Sequence, residues 1–169
     1  MIVLESERLT LRQLTPADAA FILQLLNEPS FIQGIGDKGV RTLDDARNYI
    51  LTGPMEMYRR HGFGLYRVDI KDTGTPIGTC GLLKRDTLED VDIGYAFLPQ
   101  YWSKGYAFEA AKAVMAYGKD TLGIDRIVAI VSPHNEGSIN VLQKIGLKFE
   151  KLMRLTPESK EVKLFTPER

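Results

Sequence analysis

The stretch from Val91 to Val131 constrains this chain most. Val91 to Leu98 reads as a strand, and a short loop follows it. A helix is then expected from Gly105 to Leu122, with Ala107, Ala110, Ala111, Val114, Met115, Gly118 and Leu122 on one stripe. Arg126 to Val131 follows as a short β-branched run, expected as a buried strand. Two strands joined through a helix need a crossover, so they are expected to lie parallel. The strands before this unit read differently. Gly64 to Ile70, Pro76 to Lys84 and Val91 to Leu98 are separated only by Asp72-Thr73-Gly74 and by Arg85 to Asp90, the pattern of an antiparallel meander.

The remaining elements flank this centre. Leu9 and Leu11 alternate with Thr10 and Arg12 in an opening strand. Thr15 suits a helix cap and Pro16 the first helical position, and Ala19, Ile22, Leu23 and Leu26 keep helical spacing to Asn27. Glu28 to Val40, with Pro29, Gly34, Gly36 and Gly39, is expected to be a helical turn and a mobile loop. Thr42 with Asp45 resembles a capping box for a helix reaching about Arg60. Glu136 to Ile145 is a helix closed by Gly146, and Lys148 to Leu155 and Val162 to Thr166 finish as strands. With no repeat, linker or low-complexity tract, residues 1–169 are expected to form one α+β domain.

Composition narrows the function classes. The 22 basic and 22 acidic side chains balance, so neither nucleic acid nor an anionic membrane is the expected partner. Cys80 is the only cysteine, which excludes an intrachain disulfide and a cysteine-rich metal centre. With His61 and His134 the only histidines, a metal would depend on carboxylates, and no spacing suggests such a site; none is expected. Met1-Ile2-Val3-Leu4-Glu5-Ser6-Glu7 has acids where a signal peptide carries bases, and no run spans a bilayer, so a cytoplasmic location is expected.

Chemistry points to the segment from Asp92 to Ala107. The first turn of a helix presents unpaired N–H groups and the positive end of its dipole, which suits a phosphate. Gly105 and Ala107 leave room for a pyrophosphate to approach the backbone, and Lys104 adds a charge beside it. A glycine at a helix start and a solvated lysine also occur together with no ligand at all. On the strand, Asp92, Gly94 and Ala96 share one face, and Val91, Ile93, Tyr95 and Phe97 share the other. Asp92 is therefore either a carboxylate on an open floor or a solvent-facing residue at a strand end.

Trp102-Ser103-Lys104-Gly105-Tyr106-Ala107, followed by Glu109-Ala110, resembles the acyl-CoA pyrophosphate loop of the GNAT acetyltransferase superfamily, nearest to its ribosomal-protein N-terminal (alanine/serine) acetyltransferase branch. Ser103 stands where that branch commonly has glycine. Three further stretches match in order: Glu5-Ser6-Glu7-Arg8-Leu9-Thr10-Leu11-Arg12, Asp92-Ile93-Gly94-Tyr95, and His134-Asn135-Glu136-Gly137-Ser138 running on to Lys144-Ile145-Gly146-Leu147. The resemblance implies a mixed, mainly antiparallel seven-stranded sheet with a parallel, splayed central pair, flanked by about four helices.

It also implies acetyl-CoA as co-substrate, no metal, and transfer to an amine. Asp92 takes the position of the general base, one methylene shorter than the usual Glu. Ser138 takes that of the acid that reprotonates the thiolate, where other members use a tyrosine four residues on and this chain has Leu142. Ser103, Lys104, Gly105, Tyr106 and Ala107 would hold the pyrophosphate. Asn135 and, less directly, Asn140 and Lys144 would face the cofactor arm, although Asn135 equally suits a helix cap. Phe97 and Leu98 would offer backbone groups left free where the strands splay. Trp102 and Tyr106 are expected to fix the loop by packing. The acceptor, a small-molecule amine or a protein N-terminus, would lie among Glu28 to Val40, Arg85 to Asp90 and the last strand, with Phe31, Ile32 and Tyr66 lining its pocket. The departures at Ser103, Asp92 and Leu142 also suit a non-catalytic acyl-CoA-binding module. A free sheet edge leaves monomer and homodimer both open.

Overall fold

Parallel pairing at the centre of the sheet follows from the helical crossover, and the computed structural model, which describes residues 2–167, contains it. Strands β1 (Ile2–Glu5), β2 (Leu9–Gln13), β3 (Leu65–Ile70), β4 (Pro76–Leu83) and β5 (Val91–Phe97) precede the crossover. Strands β6 (Ile127–Val131), β7 (Leu147–Met153) and β8 (Val162–Pro167) follow it. They form one eight-stranded sheet in the order β1-β2-β3-β4-β5-β6-β8-β7. Every neighbouring pair is antiparallel except β5 and β6. The strand beyond the expected seven is β1, which folds back on β2 through Ser6 to Arg8.

Helices α1 (Ala19–Leu26), α2 (Pro29–Gly34), α3 (Leu43–Thr52) and α4 (Pro54–His61) cover one part of the fold, and α5 (Tyr106–Asp120) and α6 (Glu136–Lys144) another. The expected helix from Thr42 to Arg60 is two helices, α3 and α4, divided at Gly53-Pro54. Proline has no N–H to continue the ladder and its ring crowds the preceding turn. Thr42 does cap α3, accepting from the Asp45 amide at 3.0 Å.

The sheet separates two cores. Leu9, Leu11, Val68, Ile93 and Phe97 pack with Ala110, Ala111 and Val114 of α5 and Leu142 of α6. Ile22, Leu25, Phe31, Ala46 and Ile50 form the second core under α1 to α3, joined by Leu98. At Gly118 a Cβ would come within 2.8 Å of both Ile127 and Leu82, so α5 approaches the sheet only because that position has no side chain. An ion-pair network anchors α1 to the sheet. Asp18 Oδ1 accepts from Arg12 Nη2 at 2.7 Å and Arg67 Nη1 at 2.8 Å, and Arg67 forks onto Asp69.

Candidate active site

The β5–β6 ladder is short. Only Val91↔Ile127 and Asp92↔Val128 pair, and from Ala129 onward β6 pairs with β8 instead. Beyond Asp92 the two parallel strands therefore diverge. On the other side of β5 the Leu98 amide donates to Ile77 O at 2.9 Å. Antiparallel alternation then turns the backbone groups of Tyr95 and Phe97 the opposite way, into the divergence.

This divides the two residues expected to offer free backbone. Leu98 offers neither group, because its N–H is bonded to Ile77 and its C=O accepts from the Tyr101 amide at 3.0 Å. The Phe97 carbonyl accepts from Trp102 Nε1 at 2.9 Å. What remains at the cleft is the Phe97 N–H. Trp102, expected to fix the loop by packing, is exposed instead, and ties the loop to β5 through its indole N–H.

The loop into α5 has an unusual backbone. Ser103 has φ 62° and Gly105 φ 83°, both left-handed, and Ser103 is the sole non-glycine residue with positive φ among those described. Such alternation aims successive N–H groups into one concavity, a nest for an anion. Glu109 is the first amide of α5 to reach a backbone carbonyl, Gly105 O at 3.0 Å. Among the described residues, the amides of residues 103 to 108 make no such bond. The cradle includes Ser103, Lys104, Gly105, Tyr106 and Ala107, the residues expected for it.

Residues from the other end of the chain hold this loop, and the sequence reading gave them no role. Arg8 Nη1 donates to Lys104 O at 3.0 Å, and its guanidinium carbon lies 4.4 Å from the centre of the Tyr106 ring. Arg8 Nε pairs with Glu109 Oε1 at 2.6 Å, while Ser6 Oγ and the Arg8 amide donate to Oε2 at 2.5 and 2.8 Å. Burial raises the Glu109 pKa, but these donors outweigh it and hold the carboxyl below its usual range. The signal was present in the matched Arg8 and Glu109, but only folding shows that they meet.

Asp92 is not a solvent-facing residue: it is 1% exposed. Its face is that of Ala96, toward the core under α1 to α3. Arg85 Nε donates to Oδ1 at 3.0 Å. Oδ2 has no partner and is the only buried side-chain N or O atom in that position among the described residues. Burial raises the Asp92 pKa, and Arg85 and Lys84 only partly offset it.

Ser138 lies across the cleft at the start of α6. Its Oγ is 2.9 Å from the Tyr95 hydroxyl, which also donates to the Ser138 carbonyl at 3.0 Å. A serine bonding only its own backbone is thereby excluded. Tyr95, expected as an apolar-face residue, carries the hydroxyl that meets Ser138 from β5. Leu142 is core, 1% exposed. Asn135 caps α6, its Oδ1 accepting from the Ser138 amide at 3.2 Å. A Cβ on Gly34 would lie 3.5 Å from Asn135 Nδ2, so the end of α2 reaches the start of α6. Asn140 and Lys144 are exposed on α6.

Of the three residues expected to line an acceptor pocket, Phe31 lies in the core on the Asp92 side and Ile32 beside it on α2. Tyr66 does not belong there. Its side chain faces the α5 core, with its ring stacked on Tyr58 at 5.6 Å. Beside Asp92, a recess of about 330 Å³ is walled by Leu88, Asp90, Val128, Glu150, Met153 and Leu164, drawing on the expected 85–90 segment and last strand. No helix among the described residues is long and apolar enough to cross a membrane.

A profile of the acetyltransferase (GNAT) domain family matches residues 8–148. YoaA of Bacillus subtilis, named as an uncharacterized N-acetyltransferase, is 31% identical over 154 residues, covering 90% of this chain and 86% of that one. The crystal structure of an acetyltransferase from Agrobacterium tumefaciens superposes with a TM-score of 0.81 at 28% identity, covering 100% of this chain and 95% of that one. RimL, a ribosomal L7/L12 alpha-N-protein acetyltransferase solved with coenzyme A, shares the fold with a TM-score of 0.83 at 18% identity, covering 98% and 97%.

Proposed function

This chain belongs to the GNAT acetyltransferase family, and from that premise we propose that it moves an acetyl group from acetyl-CoA to a primary amine by direct attack in a ternary complex, as one transferase domain. The observation that carries this reading is Asp92 Oδ2, a buried carboxylate oxygen with no partner. A fold leaves such an atom unpaired at a cost, and a site that receives a proton from a substrate is a physical reason to keep it.

Two places on the chain suit acetyl-CoA. The amides from 103 to 108 are unpaired and convergent, Gly105 has no side chain to block them, and the Phe97 N–H faces the divergence of β5 and β6. Acetyl-CoA, when bound, supplies an acetyl thioester activated toward amines. Ser103, Lys104, Gly105, Tyr106 and Ala107 hold the pyrophosphate through backbone N–H groups, with the Lys104 ammonium beside them. Asn135 Nδ2, left over from the cap, and the exposed Asn140 supply donors along the cofactor arm.

Asp92 Oδ2 accepts the amine proton, directly or through one water that its shorter side chain leaves room for. The Phe97 N–H donates to the oxygen on which negative charge grows during attack. Ser138 Oγ hands its proton to the departing thiolate sulfur, and the Tyr95 hydroxyl orients it. Holding amine and thioester together supplies proximity worth about 7–11 kcal/mol of barrier for well-oriented reactants.

The acceptor is a small-molecule amine or a protein N-terminus. Curated relatives that match part of the chain act on different amines, spermidine in one case and the alanine of ribosomal protein uS5 in another. The non-catalytic alternative has no observation in its favour. Ser103 keeps the left-handed conformation that a glycine would take, so the loop survives the substitution. The test is thiol release from acetyl-CoA with a panel of amines. Amine-dependent release supports the reading, and tight acetyl-CoA binding with no release on any amine contradicts it.

A further inference from the structure

The groups around Asp92 carry more positive charge than one carboxylate needs. Arg85 spends only Nε on Asp92 Oδ1, and no described residue bonds its Nη1 or Nη2. Lys38 lies in the loop between α2 and α3. Its neighbouring acid, Asp37, is taken by Arg41 Nη2 at 2.5 Å and the Gly39 amide at 2.8 Å, so Lys38 has no carboxylate partner among the described residues. Loss of hydration around the Lys38 ammonium lowers its pKa although the residue as a whole is exposed, and repulsion from Arg85 adds to this. Tyr49, half-buried on α3, is also within reach of the Arg85 charge; burial raises its pKa and keeps it a neutral donor.

Lys84 belongs to the scaffold instead. Its Nζ donates to Arg85 O at 3.0 Å and Leu88 O at 2.8 Å, tying down the loop that carries Arg85. In the neighbouring recess Arg126 pairs with Asp90 at 3.1 Å and reaches Glu150 at 3.9 Å, and Glu89 and Lys151 complete its charged lining. The charges without a carboxylate of their own on the Arg85 side of Asp92 are therefore the Arg85 Nη groups and Lys38.

We infer that the acceptor is a small amine that also bears a carboxylate, its nitrogen at Asp92 Oδ2 and its carboxylate between the free Nη groups of Arg85 and the Lys38 ammonium, with the Tyr49 hydroxyl as a further donor. The inference rests on the proposed acetyl transfer to an amine. Guanidinium and ammonium donors together suit a carboxylate, and they repel a polyamine, whose remaining nitrogens are charged.

The test compares thiol release with three acceptor sets on the full chain: amino carboxylates, the matching carboxamides, and spermidine. The expected result is a kcat/KM for carboxylates about tenfold or more above the carboxamides, with spermidine poorest. Lys38→Ala is expected to raise KM for carboxylates about tenfold with kcat unchanged, and to leave KM for carboxamides where it was. Lys38→Glu should reverse the preference toward spermidine; circular dichroism verifies that both variants fold. Preference for carboxamides or spermidine by the parent, or an unmoved KM in Lys38→Ala, overturns the inference and leaves the acetyltransferase reading standing. Release with none of the amines overturns both.

Discussion

Arg85 Nε sits 3.0 Å from Asp92 Oδ1, while Oδ2 of the same 1% exposed residue bonds to none of the described residues. One oxygen is held and the other has no partner, which fixes the orientation of the carboxylate without using up its acceptor, as the proposed base requires. Asp92→Asn is therefore expected to lower kcat on the order of a hundredfold or more while acetyl-CoA affinity stays within about twofold. Burial raises this pKa above the ordinary 3.8, so activity should rise with pH along a limb displaced upward from the usual carboxylate range. The stability sign is opposite to that of a paired acid. A raised folded pKa gives stability that is complete at low pH and lost as pH rises through it, so Asp92→Asn should melt no lower than the parent at pH near 8. Steady-state profiles and melts across pH check both.

Tyr95 and Ser138 join the two sides of the cleft through one hydroxyl pair at 2.9 Å. If they act together, Tyr95→Phe and Ser138→Ala each lower kcat by a similar factor, on the order of a hundredfold. The double variant should then be scarcely worse than either single one, because the second change removes a function already lost. Multiplying losses would contradict a shared role.

Arg8 holds the loop that opens α5 from outside, through Lys104 O, Glu109 and the Tyr106 ring. Arg8→Ala is expected to weaken acetyl-CoA binding about 3- to 10-fold, equivalent to one charge-assisted bond partly exposed to water, with kcat at saturation unchanged. Calorimetric titration separates this from a loss of turnover.

Ser103 adopts φ 62°, a conformation that costs a side-chain-bearing residue about 1–2 kcal/mol. Ser103→Gly removes that strain and adds the entropy of a more flexible unfolded chain. A net gain of about 0.5–1 kcal/mol in denaturant unfolding is expected, with acetyl-CoA affinity unchanged.

Asp18, 3% exposed at its side chain, is the shared acceptor of Arg12 and Arg67. Burial raises its pKa, but hydrogen bonds from Arg12 and the Thr15 amide, with the Arg67 charge, outweigh this and leave it lowered from 3.8. Asp18→Ala takes one carboxylate out of a network in which Arg67 still forks onto Asp69, and should cost about 1.5–3 kcal/mol. With a depressed folded pKa, the contribution is complete above the unfolded value and fades as pH falls through the folded one. Asp18→Asn should accordingly show a flatter loss of stability below pH of about 4.

Local signals carried much of this structure. The parallel pair was legible because a helix-length crossover permits little else, and the cradle because helix-start amides need no partner from elsewhere in the chain. Asn135 as a cap and the two faces of β5 were equally local. What escaped depends on meetings between distant segments. The bonding of Leu98 and Phe97 follows from the β4–β5 register, which assigns one residue's groups to Ile77 and turns the next toward the cleft. Tyr66 was misplaced because alternation along β3 shows two faces without saying which helices cover each. Arg85 and Arg8 look like ordinary surface bases until folding brings Asp92 and Glu109 to them.

The most direct test of the central claim is calorimetric titration with acetyl-CoA of the parent and of Gly105→Ala, which places a Cβ at φ 83° and 3.3 Å from Arg8 Nη2. The account predicts one binding event per chain in the parent and a clearly weaker one in a variant that still folds. A well-folded parent that gives no heat of binding, or a Gly105→Ala variant that binds as tightly as the parent, would contradict it.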